Sequence, residues 1–216
     1  MKILAVEFSS ECRSAALLQD GALLGRAADT GGRRAVGLVE QALQQAGCER
    51  EEVETIAVGL GPGSYTGIRG AIALAQGWQL GRAVNLLGLS SVECLAAQAE
   101  MEKFPGPVNI VVDAQRNEFY LARFEIAAGA RRQVEPLRLA ALSEIQKREA
   151  AGEKIIGPDL APWFPRAINL YPDAAVLGSL VGGRADFVPG DKLEPVYLRE
   201  TAFKKAPPSR ILRGPP

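Results

Sequence analysis

The most informative stretch of the sequence reads Gly59-Leu60-Gly61-Pro62-Gly63-Ser64-Tyr65-Thr66-Gly67. A buried strand is predicted immediately before it, over residues 54–60, and a helix after it, to about Leu80. Glycines in such a turn permit positive φ angles and close approach of two backbones. Because unpaired N–H groups at a helix N-terminus attract anions, the loop suits either phosphate binding or a tight strand-to-helix turn.

Two specific phosphate-binding motifs are absent from this loop. A Walker loop, GxxxxGK[ST], needs a lysine, and none occurs between Lys2 and Lys103. A GxGxxG fingerprint fails because Ser64 and Thr66 stand where its third glycine belongs. On the sequence alone, the anion site and the tight turn both stay open.

The predicted helix after the loop has two unusual features. If Thr66 is its N-cap, Arg69 lies in the first turn, where the helix dipole disfavours a cation, so its side chain is expected to reach an acid or a partner. Small residues also recur at three- or four-residue spacing, although glycine in a helix costs about 1 kcal/mol relative to alanine. These residues are Gly70, Ala73, Gly77 and Gly81. The stripe predicts a close neighbour, which is either the chain's own sheet or another helix, including one from a second chain.

Strands and helices alternate outward from the loop in both directions. The predicted strands span residues 2–8, 14–19, 22–27, 54–60, 85–89, 108–112, 118–126 and 154–157, with a last extended piece at 194–199. The predicted helices span residues 35–46, 67–80, 91–102, 143–150 and 174–182, with Ser143 as the cap of the fourth. Both halves begin strand–turn–strand, the first as an antiparallel meander, and continue into alternating helix and strand. The pattern predicts an α/β fold with an internal repeat whose first copy is better formed.

Composition excludes several classes of function. The 216 residues include 25 basic and 25 acidic side chains, three cysteines and no histidine. The absence of histidine removes the Ser-His-Asp triad, the Cys-His pair and every zinc site that contains histidine. Three scattered cysteines argue against a disulfide framework, and no apolar run predicts a membrane span or a signal peptide. A cytoplasmic location without membrane contact is therefore expected.

The charge is uneven at the C-terminus. Residues 201–216 carry Lys204, Lys205, Arg210 and Arg213 and no acid, and they are rich in proline. This composition predicts a basic, disordered tail, which is either solvated without a role or in weak contact with a polyanion. The expected organisation is an N-terminal lobe over residues 1–104, a C-terminal lobe over 105–200 and the tail over 201–216.

Three segments together resemble one known family. They are Met1-Lys2-Ile3-Leu4-Ala5-Val6-Glu7-Phe8-Ser9-Ser10, the glycine-rich loop continued to Ile68-Arg69, and Pro195-Val196-Tyr197-Leu198-Arg199. They occur in the same order as in the bacterial TsaB (YeaZ) family of the TsaD, glycoprotease-like (peptidase M22-like) superfamily. The resemblance implies an actin/Hsp70-like (ASKHA, ribonuclease H-like) fold of two related lobes, with the second lobe reduced.

The resemblance also implies a function. It implies a non-catalytic scaffold subunit that pairs with a catalytic TsaD-like subunit, which transfers a threonylcarbamoyl group to the tRNA adenosine beside the anticodon. A TsaE-like ATPase joins the pair, tRNA is contacted only through the complex, and a homodimer is expected in isolation. The pairing surface implied is that of the first two helices, here Val36, Val39, Leu43, Arg69, Gly70, Ala73 and Gly77.

Departures from the family pattern bear on nucleotide binding. Glu7, Phe8 and Gln115 stand where the family pattern has Asp, Thr and Arg, and the HxxxH metal pair of TsaD relatives cannot exist without histidine. Actin-like folds hold ATP phosphates with one glycine-bearing turn from each lobe, but residues 8–13 and 113–117 contain no glycine. We therefore predict no tight ATP site, no resident cofactor and no catalytic residue in this chain.

Three residues are candidates for cofactor contact: Glu7, Ser9 and Asp113. Glu7 and Asp113 are placed to hold Mg²⁺ between the lobes, or else to cap a turn or form an ion pair. An alternative function is a stand-alone phosphotransferase or ATPase of the actin fold. A peptidase is disfavoured because no base accompanies Ser9, Ser10, Ser64 or Thr66.

Overall fold

The first sheet has five strands in the order β3-β2-β1-β4-β5. The computed structural model describes residues 1–30 and 35–198. The strands are β1 Lys2–Glu7, β2 Arg13–Gln19, β3 Ala22–Asp29, β4 Thr55–Gly59 and β5 Asn85–Leu89. The first three form an antiparallel meander, as predicted, while β4 pairs parallel to β1 and β5 parallel to β4.

The second sheet repeats this topology. Its strands are β6 Gly106–Asp113, β7 Glu118–Ala127, β8 Ala130–Ala141, β9 Lys154–Gly157 and β10 Ile168–Asn169. Their order, β8-β7-β6-β9-β10, is that of the first sheet with the same mixture of antiparallel and parallel pairs. The predicted α/β repeat is therefore confirmed, and its second copy is the reduced one, since β10 has only two residues.

In the described part of the chain, five α-helices cover the sheets. They are α1 Ala35–Ala46, α2 Tyr65–Gly81, α3 Ser91–Met101, α4 Leu142–Ala150 and α5 Ala174–Ser179, with short 3-10 turns at Arg50–Glu52 and Gly190–Lys192. Side chains alternate along β1, so that Leu4 and Val6 pack under α1 and α2 while Ile3 and Ala5 pack under α5. None of the described residues form a helix with the length and apolar character needed to cross a membrane.

Two helices pack on the sheet of the other half of the chain. Helix α3, from the first half, places Leu95 and Ala99 on the second sheet, while α5 and Val181, from the second half, cover the first sheet. We call the first sheet with α1, α2 and α5 the first lobe, and the second sheet with α3 and α4 the second lobe. The expected boundary at residues 104 and 105 stays a prediction.

A network of ion pairs fastens α4 and β8 in the second lobe. Arg148 contacts Glu135 at 3.0 Å and Glu144 at 2.9 Å, and it donates to the buried Asn109 side chain at 2.8 Å. Arg138 also binds both glutamates. These contacts join two elements that have few buried apolar residues. Ala140 is the only buried residue of β8, and Ile145 is the only buried residue of α4.

Several local predictions differ from the structure. Strand β8 was not predicted, because half of its residues are exposed and apolar residues do not alternate along its whole length. The N-cap of α2 is Ser64 rather than Thr66, so Arg69 lies beyond the first turn. Ser143 lies inside α4, whose N-cap position is Ala141, and α5 ends at Ser179 rather than at Gly182. The predicted tail over 201–216 lies outside the described residues.

Candidate functional site

The glycine-rich loop packs against the turn that follows β1. A Cβ on Gly63 would lie 2.0 Å from the Ser9 carbonyl oxygen, and one on Gly67 would lie 1.9 Å from that of Phe8. The Ser64 N–H donates to the Ser9 carbonyl at 2.7 Å, and the Gly67 N–H donates to the Ser64 hydroxyl at 3.3 Å. These glycines are therefore needed for contact between two parts of the same chain, which favours the tight-turn interpretation.

Glu7 is enclosed by the same loop. Its side chain is fully buried, and a Cβ on Gly59 would lie 2.1 Å from its Oε2 atom. Its carboxyl group accepts hydrogen bonds from the Ser9 N–H and the Ser91 hydroxyl, both at 2.8 Å. Burial raises the pKa of Glu7 and outweighs these hydrogen bonds, which act in the opposite direction. Glu7 therefore ties β1 to the start of α3.

A cleft of about 740 Å³ lies between the lobes. Both turns contribute to it, Ser9 from the first lobe and Asp113 from the second, together with Tyr65, Tyr120 and Trp163. The structure thus brings two of the three cofactor candidates together and leaves Glu7 out of the cleft lining. Across the described ranges, no three Cys, Asp or Glu side chains come together in a way that could hold a metal ion.

The turn at Asp113 has an unusual backbone. Gln115, Arg116 and Asn117 have φ angles of 66°, 60° and 60°. Left-handed conformations of this kind cost non-glycine residues about 1 kcal/mol each. Asp113 offsets part of that cost, because its carboxylate accepts hydrogen bonds from the Gln115 N–H at 2.7 Å and side-chain amide at 2.9 Å. Of the three roles considered for Asp113, these hydrogen bonds are those of a turn cap.

The outer face of α2 is open. We use this name for the exposed residues Arg69, Gly70, Ala73, Gly77 and Leu80, the last of which is 90% exposed. A Cβ added to Gly70, Gly77 or Gly81 would meet no atom of residues 1–30 or 35–198 within 4 Å. Within the described residues, the small-residue stripe therefore does not pack on the chain's own sheet, and another helix as its neighbour stays a prediction.

The residues predicted on α1 divide between surface and core. Val36 is 51% exposed, whereas Val39 and Leu43 are buried in the core of the first lobe, where they pack with Leu38 and Ala42. Helix α1 contacts α2. Five of the seven residues predicted for a pairing surface are therefore accessible, and Val39 and Leu43 are not.

Sequence reasoning missed an aromatic and cationic cluster at the start of α2. The rings of Tyr65 and Tyr197 stack with centroids 5.7 Å apart, and the Arg69 guanidinium lies 4.2 Å from the centre of the Tyr65 ring. The Arg69 Nε–H donates to the Tyr197 hydroxyl at 3.4 Å. The four-residue spacing of Tyr65 and Arg69 predicts that these two side chains are neighbours. Nothing local in the sequence predicts Tyr197.

Comparisons with known proteins agree with this architecture. The family model described as "TsaD: tRNA N6-adenosine threonylcarbamoyltransferase" matches residues 26–179. The chain is 27% identical to the "tRNA threonylcarbamoyladenosine biosynthesis protein TsaB" of Escherichia coli, over 96% of this chain and 99% of that protein.

Solved structures from Pseudomonas aeruginosa give the same result. A crystal structure of a protein "with similarity to peptidase YEAZ" has a TM-score of 0.78 at 28% identity, over 92% of this chain and 99% of that one. The structure described as "YeaZ" has a TM-score of 0.75 at 26% identity, over 91% and 99%. These likenesses confirm the resemblance and the two-lobed, actin-like fold that it implied. The chain therefore belongs to the TsaB (YeaZ) family, within the wider group that the TsaD family model describes.

Proposed function

We propose that this chain is a non-catalytic subunit of the machinery that forms threonylcarbamoyladenosine on tRNA. In this proposal it pairs with a catalytic TsaD-type subunit, which transfers the threonylcarbamoyl group to the adenosine beside the anticodon. A TsaE-type ATPase joins the pair, and tRNA is contacted only through the assembled complex. The observation that carries the proposal is the nearly full-length similarity to the Escherichia coli protein whose name states this biosynthesis.

The chemistry of the buried polar groups supports a role other than catalysis. The Ser91 hydroxyl donates a hydrogen bond to Glu7 and is only 1% exposed, so a substrate cannot reach it. The Ser64 hydroxyl caps α2. Side chains that are committed to such contacts hold the fold together and are poorly placed to attack a substrate.

The outer face of α2 supports a role in docking. Its glycines and alanine leave room for a second helix to approach closely, and Arg69 is its single charged residue. Val36 on the neighbouring α1 adds exposed apolar area. An exposed apolar face of this kind fits a protein partner, and in the absence of one the same face can bind its own copy as a two-fold homodimer.

The decisive experiment reconstitutes the tRNA modification reaction from purified components and then omits this chain. Purified TsaD-type and TsaE-type subunits from the same organism are incubated with ATP, a threonylcarbamoyl donor and unmodified tRNA, with and without this chain. Modification is expected only when this chain is present, and the chain alone with ATP is expected to show no turnover. Modification that proceeds equally well without the chain contradicts the proposal, and phosphate release or phosphotransfer by the chain alone supports the alternative of a stand-alone enzyme.

A bulky residue on the outer face tests where pairing occurs. Gly77→Leu adds a side chain into open space, so the monomer should fold normally while affinity for the TsaD-type subunit falls by about tenfold or more. Ala150→Leu, at an exposed position on α4, is the matched control. Equal affinities of the two variants, measured by calorimetry, contradict the proposed surface, as does unfolding of Gly77→Leu.

A further inference from the structure

Arg69 is the single charged side chain of α2, and it lies at the edge of the outer face. Within residues 1–30 and 35–198, no carboxylate lies within ion-pair distance of its guanidinium group. Its neighbours are the rings of Tyr65 and Tyr197, whose centres lie 4.2 Å and 6.0 Å from it. The positive charge is therefore held between two rings and is not paired with a carboxylate of the described residues.

The position of Tyr197 is fixed by contacts made before it in the chain. Leu193 is 4% exposed and packs beside Leu60 and Gly88. The Val196 N–H then donates to the Leu60 carbonyl at 2.9 Å, which brings the segment alongside the glycine-rich loop. Tyr197 consequently stacks on Tyr65 and accepts the hydrogen bond from Arg69. A long, flexible arginine side chain loses much of its freedom in this arrangement before any partner binds.

We infer that Tyr65 and Tyr197 hold Arg69 as the preorganised cation of the docking surface, where it binds a carboxylate that the partner protein presents beside the glycines of α2. This inference rests on the proposed function and adds to it a specific chemistry of recognition. Tyr197 is a positioning residue in this arrangement, because it acts through Arg69. The arginine head remains free to form the two parallel hydrogen bonds that carboxylates accept.

The required carboxylate favours a different protein over a second copy of this chain. Helix α2 carries no acidic residue, so two copies packed through this helix would not neutralise either Arg69. The one acid of α1, Glu40, is already paired with Arg50 at 2.6 Å. Charge complementarity on this face therefore points to a partner helix with its own aspartate or glutamate.

Calorimetric titration of the full chain with the TsaD-type subunit tests the inference. Arg69→Gln should weaken binding by about tenfold, and most of the salt dependence seen between about 50 and about 300 mM NaCl should disappear with it. Tyr197→Ala should weaken binding to a similar extent, and the double variant should be little worse than Arg69→Gln because both changes remove the same contact. Tyr197→Phe keeps the ring and loses only the hydroxyl, so a smaller effect is expected.

Arg132→Gln, an exposed arginine on β8, is the control for loss of charge. Binding of Arg69→Gln that matches this control overturns the inference, and so does a double variant whose effect is the product of the two single ones. Loss of self-association in Arg69→Gln, measured by sedimentation equilibrium, would make the second copy the occupant and would also overturn it. Failure of the unaltered chain to bind the TsaD-type subunit instead contradicts the proposed function itself.

Discussion

The two lobes place an acid at the same topological position and treat it differently. Glu7 ends β1 and Asp113 ends β6, the strands that come first in the chain within each sheet. In each sheet the fourth strand along the chain ends in a glycine, Gly59 of β4 or Gly157 of β9, which lies close to that first strand. In the first lobe, the fourth strand continues into the glycine-rich loop and α2, which enclose Glu7. In the second lobe, residues 158–167 form no helix, and Asp113 stays in the cleft. The segment after the fourth strand thus decides whether this acid is buried or accessible.

The largest expected effect is on the free energy of unfolding, and it distinguishes two glycines of α2. Gly67→Ala should lower the free energy of unfolding by about 3 kcal/mol, because the added Cβ collides with the Phe8 carbonyl that anchors the first turn. Gly77→Ala, in the same helix, should raise it by about 0.5–1 kcal/mol, because the site is open and alanine favours a helix. Urea unfolding followed by circular dichroism measures both. Equal effects of the two substitutions would show that the loop is not held by this contact.

A smaller effect is expected in the second lobe, where ion pairs join α4 to β8. Arg148→Met should cost about 2 kcal/mol, because it removes one partner of Glu135 and Glu144 and leaves the buried Asn109 oxygen without this donor. Lys147→Met, an exposed neighbour on α4, is the control and should change stability by less than about 0.5 kcal/mol. Similar losses in the two variants would mean that the network contributes little.

The smallest effect concerns the charge of Glu7. Glu7→Gln conserves volume, so below the ordinary glutamate pKa it should change stability by at most about 1.5 kcal/mol. Because burial raises the folded-state pKa of Glu7, the stability that the protonated carboxyl contributes is lost as the pH rises through that value. The free energy of unfolding of Glu7→Gln, relative to that of the unaltered chain, should therefore increase as the pH rises.

Denaturation curves between about pH 4 and pH 8 measure this difference. Glu51→Gln, on an exposed 3-10 turn, is the control. The second lobe should respond to pH in the opposite sense, since the hydrogen bond from Arg138 lowers the pKa of Glu144 and its contribution is lost as the pH falls. Parallel curves for Glu7→Gln and the unaltered chain would show that Glu7 does not change its charge in this range.

The regular elements could be predicted from the sequence, because their apolar residues follow the periods of strand and helix. Strand β8 could not, because it is an edge strand that, among the described strands, pairs only with β7, and half of its residues are exposed. Ion pairs of Arg138 and Arg148 join it to α4. The motif of the glycine-rich loop was visible, but its role depended on how close Phe8 and Ser9 come, which only tertiary structure sets.

Part of the candidate site could also be predicted, because regular spacing along a helix shows which residues share one face. Spacing along α2 identified Gly70, Ala73 and Gly77 as one stripe, and the structure places them at the surface. Spacing along α1 grouped Val36 with Val39 and Leu43, although one side of that stripe faces the core. Glu7 depends on Ser91 and Arg69 on Tyr197, and contacts between residues so distant in sequence leave no local signal.

The exchange of helices between the halves has a consequence for how the chain folds during its synthesis. The strands of the first sheet are complete once Leu89 has left the ribosome, but Leu177 and Val181, which cover the Ile3 and Ala5 side, are translated much later. Until then one apolar side of the nascent sheet faces water, and a chaperone that shields hydrophobic surface can occupy it. Stalled nascent chains ending shortly before α5 should therefore be bound by such chaperones, and chains extended past Leu193 should be released.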